Sequence, residues 1–358
     1  MIEVLKQWYR KNFSDPSAVT LMLVILISAL ALTLFGSLLT PVLVAIVIAF
    51  LLEWPIKKAC QMGINRNVST SVVILVFVGV LIGLLTAALP VIWQQSVALL
   101  KELPEMMQQV REYIHTLPEQ YPNLDPAIIT NVLGNVDSKL IQVAESTIET
   151  VASSFTDVVA ILIYLILVPL MVFFMLKDKT ELINGFKKIL PAERRLLSQV
   201  SVEMNQQIMN YIRGKMIELF IVGGATYIAF VIMDLRYAAV LGLLVGLSVL
   251  IPYIGAAVVT IPVVAVALFQ FGIGPDFYAV MIAYGIIQAL DGNLLVPLLF
   301  SEAVDLNPVF IIVAVLFFGG LWGFWGVFFA IPLASLVKAI VNAWSVKDEP
   351  QTSGVITE

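Results

Sequence analysis

Uncharged apolar runs recur along almost the whole chain, and they constrain the fold more than any motif does. Residues 18–35, 68–92, 158–176 and 309–322 contain no Asp, Glu, Lys or Arg. A helix rises 1.5 Å per residue and needs about 20 apolar residues to cross a hydrocarbon core of about 30 Å, so such runs read as membrane spans. Composition supports this: 60% of residues are hydrophobic and 13% are charged. That charged share is about half of what a soluble globule carries, and a soluble globule is excluded.

Further runs lie at 38–52, 219–233, 238–251, 256–272, 277–290, 294–300 and 325–337. The expected fold is all-α: a polytopic membrane protein with about eight transmembrane helices plus broken or re-entrant segments. Runs 238–251 and 294–300 are too short to cross alone and are expected to be half-helices, re-entrant pieces or parts of kinked spans.

Lys and Arg tend to stay on the cytoplasmic side, and their distribution gives an orientation. Lys6, Arg10 and Lys11 precede the first run; Lys57, Lys58 and Arg66 lie between residues 53 and 67 against Glu53. Segment 177–215 carries eight cations against four acids, whereas 94–150 carries three against eight. The first three stretches are therefore expected in the cytoplasm and 94–150 outside. The basic start resembles a signal peptide but lacks a small-x-small cleavage pattern and is read as a retained span.

The expected organisation is N-terminal membrane helices at 1–93, a periplasmic amphipathic insert at 94–150 and a transmembrane helix at 151–176. A cytoplasmic helical connection at 177–215, a transport core with broken helices at 216–345 and a cytoplasmic tail at 346–358 follow. The insert reads as an outward-facing helical hairpin. Val97, Leu100, Met107, Val110 and Ile114 lie on one face, and Ile129, Val132, Val136, Leu140 and Ile148 on the other, across a Pro118 to Pro126 turn. Arg213-Gly214-Lys215 and Glu218 read as an interfacial charge cluster.

Several activities are excluded. A net charge of −5 argues against nucleic acid as a partner. Cys60 is the one cysteine and His115 the one histidine, so there is no internal disulfide and no His-rich metal site. No HExxH and no GxxxxGK[ST] occurs, and no nucleophile has a histidine partner in the membrane. An enzyme is not expected, nor a cofactor or a metal. Energy must come from an ion gradient, a partner or the substrate's own gradient.

Between residues 216 and 345, Arg236 and Lys338 are the cations, while Glu218, Asp234, Asp276, Asp291, Glu302 and Asp305 supply negative charge. An Asp at a helix centre costs about 2.5–3.5 kcal/mol on insertion scales, so one that persists usually faces a cavity. Asp291 lies in Gln288-Ala-Leu-Asp291-Gly292-Asn293-Leu-Leu-Val-Pro297, where glycine and proline interrupt two apolar stretches. This pattern predicts a broken helix offering Asp291, Asn293 and Gln288 to a solute or ion. The plainer alternative is a helix cap near the interface. Ser248-Val-Leu-Ile-Pro252-Tyr253-Ile-Gly255 predicts a second break, freeing carbonyls beside Ser248 and Tyr253 or merely kinking the helix. Pro252, Gly255, Gly292 and Pro297 are the expected hinge positions. Pro252 with Pro262 and Pro297 with Pro308 form a weak internal repeat. Asp157 is a lesser gating candidate, and Glu302 and Asp305 are expected on a loop.

Gly79/Gly83, Gly242/Gly246 and Gly319/Gly323, with Gly326 beyond, are small-residue pairs spaced for close helix packing. In Gly319-Gly-Leu-Trp322-Gly323-Phe-Trp325-Gly326 the alternation with aromatics suggests a tight turn or crossing.

These residues carry a resemblance. Leu51-Leu-Glu53-Trp54-Pro55, Val168-Pro-Leu-Met-Val-Phe-Phe174, Leu176-Lys-Asp-Lys179 and Asn210-Tyr-Ile-Arg-Gly-Lys215 resemble the autoinducer-2 exporter family of bacterial inner-membrane proteins, in its PerM-type branch of permeases. So do Ile251-Pro-Tyr-Ile-Gly255, Gln288-Ala-Leu-Asp-Gly-Asn293 and Gly323-Phe-Trp-Gly326 through Pro332, and the match spans nearly the whole chain. The resemblance implies a multi-span permease, some relatives of which export autoinducer-2 while others exchange Na⁺ or Li⁺ for H⁺. It also implies homo-oligomers, of pentameric size. The leading expectation is a secondary permease in the bacterial inner membrane with both termini cytoplasmic. It would export a small polar solute with a proton or Na⁺ as coupling ion. A Na⁺(Li⁺)/H⁺ antiporter and a membrane scaffold acting through the outward hairpin are the alternatives.

Overall fold

The computed structural model describes residues 16–120, 158–190, 195–300 and 306–345. The second helix expected in the insert, the 346–358 tail, Asp157, Glu302 and Asp305 fall outside these residues. Every regular element among them is helical: α1 (Pro16–Gln61), α2 (Arg66–Gln120), α3 (Val158–Lys177), α4 (Lys179–Ile189), α5 (Arg195–Ile232), α6 (Ala238–Ser248) and α7 (Ile254–Phe271). Then come α8 (Pro275–Leu290), a π-helical turn (Asp291–Leu295), α9 (Val296–Phe300), α10 (Pro308–Phe328) and α11 (Ala330–Ser345). Seven helical stretches among the described residues are long and apolar enough to cross a membrane, and three shorter apolar helices accompany them. The chain is an all-α polytopic membrane protein.

Contacts divide the chain into two compact units. The first comprises residues 1–73, 168–214 and 300–358, the second 74–167 and 215–299.

In the first unit, α1 bends at Phe35 (φ −121°, ψ 17°), between the two apolar runs. Leu21 near its start packs on Leu196, Val200 and Met204 of α5. Glu53 is buried and receives Arg66 Nη2 at 3.3 Å and Lys179 Nζ at 3.0 Å. Arg66 also donates to the Leu176 carbonyl at 3.2 Å. The Leu51–Pro55 and Leu176–Lys179 segments, distant in sequence, thus meet at one carboxylate. Toward the end of the chain, Gly323 takes φ 57° and ψ −135°, a region open essentially to glycine. Ile311, Ala314 and Val315 then pack on Ala330 and Ala334. A Cβ at Gly326 would fall on the Phe318 carbonyl, and one at Gly319 on the Val327 side chain. The glycine–aromatic segment is therefore a tight turn. Tyr211 Oη donates to the Phe328 carbonyl at 2.8 Å.

In the second unit, the turn joining α5 to α6 is tied from several sides. Asp234 and Tyr237 adopt positive φ (51° and 58°). Gln270 receives the Arg236 N–H at Oε1 and donates from Nε2 to the Asp234 carbonyl, both at 2.7 Å. The Arg236 guanidinium pairs with Glu102 at 3.1 Å. Burial, reinforced by the Glu102 carboxylate, pushes the Tyr237 phenol up to about 12. The first N–H groups of a helix have no partner within it. Gln95 Oε1 supplies one here, accepting from Ala239 and Val240 at 3.0 and 3.3 Å. Gln95→Ala is expected to cost about 1–2 kcal/mol, because two half-buried donors lose their acceptor. Thermal unfolding of the purified variant in detergent measures this, and an unchanged midpoint would show that water replaces Gln95.

The small-residue pairs differ in their use. Gly246 faces Gly223 and the Leu219 carbonyl, and Gly242 faces the Tyr227 backbone, so α5 and α6 approach closely. Gly79 and Gly83 are exposed with open space around them and pack against nothing. The insert also departs from expectation. α2 runs unbroken for 55 residues, about 80 Å, so the first insert helix continues the preceding span. Among the described side chains from residue 94 onward in α2, Leu99 and Met106, seven apart, are buried, whereas Val97 and Leu100 are half-buried. Met107, Val110 and Ile114 fall outside the described side chains.

Candidate functional site

The site grows from one buried stripe on α5. Lys215, Glu218, Val222, Thr226 and Phe230 recur at helical spacing, and all five are buried. Lys215 is 5% and Glu218 2% exposed. Their charges meet: Lys215 Nζ lies 2.9 Å from Glu218 Oε2 and 3.1 Å from Oε1. The same ammonium donates to the Val249 carbonyl at 2.8 Å. Charges inside a low-dielectric region persist only when paired and hydrogen-bonded, and this pair meets both conditions. Of the expected charge cluster, Lys215 and Glu218 pair with each other. Arg213 is exposed, while Lys215 and Glu218 turn inward.

Val249 caps α6, where the second expected break lies. The chain turns through residues 249–253 and restarts as α7, with Ile251 N–H and Gly255 N–H bonded to the Ser248 and Ile251 carbonyls at 3.0 Å each. Tyr253 adopts φ 61° and ψ −50° and is 58% exposed. Gly255 sits so close to the Ser248 carbonyl that a Cβ would overlap it. Ser248 Oγ is engaged with the Val245 carbonyl at 2.7 Å. The break is a turn between two packed helices, with Pro252 inside it.

The first expected break takes another form. Pro275–Phe300 is one candidate span, and Gly292 and Pro297 do not unwind it. Instead Asp291–Leu295 forms a π turn in which Val296 N–H reaches the Asp291 carbonyl, five residues back. Pro297 explains this physically: its ring has no N–H and collides with the carbonyl four residues earlier, and widening the turn relieves both problems. The two proline segments are therefore not structural equivalents, since one is a turn and the other a widened helix.

Gln288 and Asp291, three residues apart, share a helix face. Gln288 Nε2 and Asp291 Oδ1 are enclosed and have no hydrogen-bond partner, as is Thr226 Oγ1 on α5. Asp291 interacts electrostatically with Lys215 and with Glu218. Asn293 turns away: it is exposed and donates to the Ala289 carbonyl of its own helix at 2.8 Å. The geometry thus pairs Lys215 with Glu218, sets Asp291 in their electrostatic field with Gln288 on the same helix face as Asp291, and leaves Asn293, Ser248 and Tyr253 with local bonds or exposure. Lys215 and Glu218 were legible as charges on the buried stripe, had their spacing to Val222 and Phe230 been weighed. No group of three His, Cys, Asp or Glu residues with metal-binding geometry occurs among the described residues.

A separate cavity of about 500 Å³ lies within the first unit, lined by Thr33, Gly36, Thr40, Trp322, Trp325 and Phe329 together with leucines. No ionisable side chain lines it.

A family model described as AI-2E family transporter matches residues 18–346. The chain belongs to the AI-2E transporter family. "Putative permease PerM" of Escherichia coli (strain K12) is 51% identical over 345 residues, covering 96% of this chain and 98% of that protein. "Putative transport protein YueF" of Bacillus subtilis (strain 168) is 28% identical over 256 residues, covering 70% and 69%. This member of the AI-2E family is accordingly a bacterial multi-pass membrane protein of the transporter class. The described motif residues sit in both units: Glu53, Lys179, Tyr211 and Gly326 in the first, Lys215, Gly255 and Asp291 in the second.

Proposed function

We propose that this protein is a secondary permease of the bacterial inner membrane that exports a small polar solute such as autoinducer-2, without enzymatic chemistry. Both termini are cytoplasmic, in keeping with the cation-rich 1–17, 53–67 and 177–215 stretches. It works as a homo-oligomer, a pentamer by family resemblance, and couples export to entry of a proton or Na⁺. Asp291 is the coupling group and Gln288 helps bind the solute. The observation that carries this reading is the Asp291 carboxylate itself. It lies within an apolar span, with Oδ1 enclosed and unpartnered, beside a buried lysine–glutamate pair. An acid in such a place is costly and persists where it binds something.

Uptake of labelled autoinducer-2 into inside-out vesicles, with and without an imposed proton gradient, tests the proposal. Gradient-dependent uptake is expected for the native protein, with loss of at least tenfold for Asp291→Asn, an isostere that cannot carry the charge. Normal uptake by the variant would remove Asp291 from the coupling role. Na⁺- or Li⁺-dependent proton movement without solute uptake would instead identify an antiporter.

A further inference from the structure

Lys215 is held too firmly to be a mobile charge carrier. Its ammonium contacts both Glu218 oxygens at 3.1 and 2.9 Å and the Val249 carbonyl at 2.8 Å, and both side chains are buried. Asp291 shares the field of this pair, yet its Oδ1 has no donor. Two carboxylates against one ammonium leave a single negative charge in a region of apolar helices. Among the described residues, α6 and α7 carry no ionisable side chain, and Arg213 on α5 is exposed. On α8, Asp276 lies in the first turn, Tyr278 is exposed, and Tyr284 shares a hydrogen bond with Thr260 at 3.0 Å. Tyr227 on α5 is exposed.

We infer that the Lys215–Glu218 pair is a fixed counter-charge device. It holds Glu218 in a close ion pair, leaves Asp291 as the acid of the cluster without a counter-ion of its own, and so sets the load at a single monovalent cation, a proton or Na⁺, taken up at Asp291. Lys215 and Glu218 are positioning residues that act through Asp291. This rests on the reading of Asp291 as the coupling group. The test below reads charge balance without any solute, so it can fail while transport still requires Asp291, and the reverse.

The readout is covalent labelling by a hydrophobic carbodiimide, which reacts with a protonated carboxyl group. Asp291 and Glu218 in the full-length purified protein would be quantified by peptide mass spectrometry at neutral pH, with buried Glu53 as internal control. Native protein is expected to label at Asp291, and Na⁺ to slow that labelling if Na⁺ is the cation. Glu218→Gln frees Lys215 to neutralise Asp291, and labelling should fall roughly tenfold, the effect of one close opposite charge. Lys215→Met leaves two carboxylates with no cation, and the summed labelling of Asp291 and Glu218 should rise, because close like charges retain a proton between them. The double variant restores a single negative charge and should return to the native level, and Lys215→Arg should stay there. Where Lys215→Met is too unstable to purify, Glu218→Gln and the double variant decide the matter. Labelling that falls in both, or is unchanged in both, would overturn the inference. A merely structural pair would change Glu53 labelling along with Asp291, which would overturn it equally.

Discussion

Gly255→Ala and Gly326→Ala are each expected to cost about 3 kcal/mol of stability, the upper end of what overpacking does, although each adds one methyl group. The reason is what the methyl group meets. At Gly255 it overlaps the Ser248 carbonyl, and at Gly326 the Phe318 carbonyl. Backbone cannot step aside as a flexible side chain can, so the α6–α7 turn or the turn at Gly323 within α10 must open. Gly224→Ala is the control. Its Cβ would meet nothing within 4 Å, and replacing a mid-helix glycine should gain up to about 1 kcal/mol. Thermal unfolding of the three purified variants in the same detergent gives the comparison. Equal midpoints for all three would mean that the close approaches are not present in the folded protein.

The second large effect is expected at the buried ion pair. Lys215→Met should cost about 3–5 kcal/mol, because Glu218, 2% exposed, loses its counter-ion and is left enclosed by apolar helices. Protonation of the orphaned acid limits the loss, so the cost should shrink as the pH of the measurement is lowered. Lys215→Met combined with Glu218→Leu should recover most of the stability, since replacing both charges with apolar groups of similar size is often neutral or better. Denaturation of the single and double variants completes a double-mutant cycle. Additive costs would show that Lys215 and Glu218 do not interact. The Glu53 network offers a contrast. Arg66 and Lys179 are 38% and 36% exposed, so water screens their side of the interaction and its rupture should cost much less.

The class of fold was legible because the bilayer imposes a length and a polarity that apolar runs cannot disguise. The orientation of side chains within those runs was less so. Asp291 stood out as an acid between glycine and proline, and the local disturbance was foreseen, but a proline can be accommodated by unwinding a helix or by widening it. The choice depends on whether neighbouring helices support the backbone, which a linear sequence does not express. Lys215 and Glu218 were read as interfacial because lysine and glutamate usually are. Only the register that they share with Val222, Thr226 and Phe230 places them inside. In the insert, Val97 and Leu100 are half-buried, and the continuous α2 also brings Leu99 and Met106 to a buried side. Asn293 lies next to Gly292 and two residues from Asp291, and helical geometry sends it to another face.

The π turn at Asp291–Leu295 amounts to one surplus residue stored in an otherwise regular helix. An α-helix advances about 100° per residue, so if the surplus residue moved along the chain, every side chain it passed would swing by about that angle. A residue facing the helix interior on one side of it would face a different neighbour on the other. Such a displacement exchanges backbone hydrogen bonds one at a time and never leaves a peptide group bare in hydrocarbon. A span built this way can be re-faced without being melted, and the carboxylate it carries can be turned from one set of neighbours toward another.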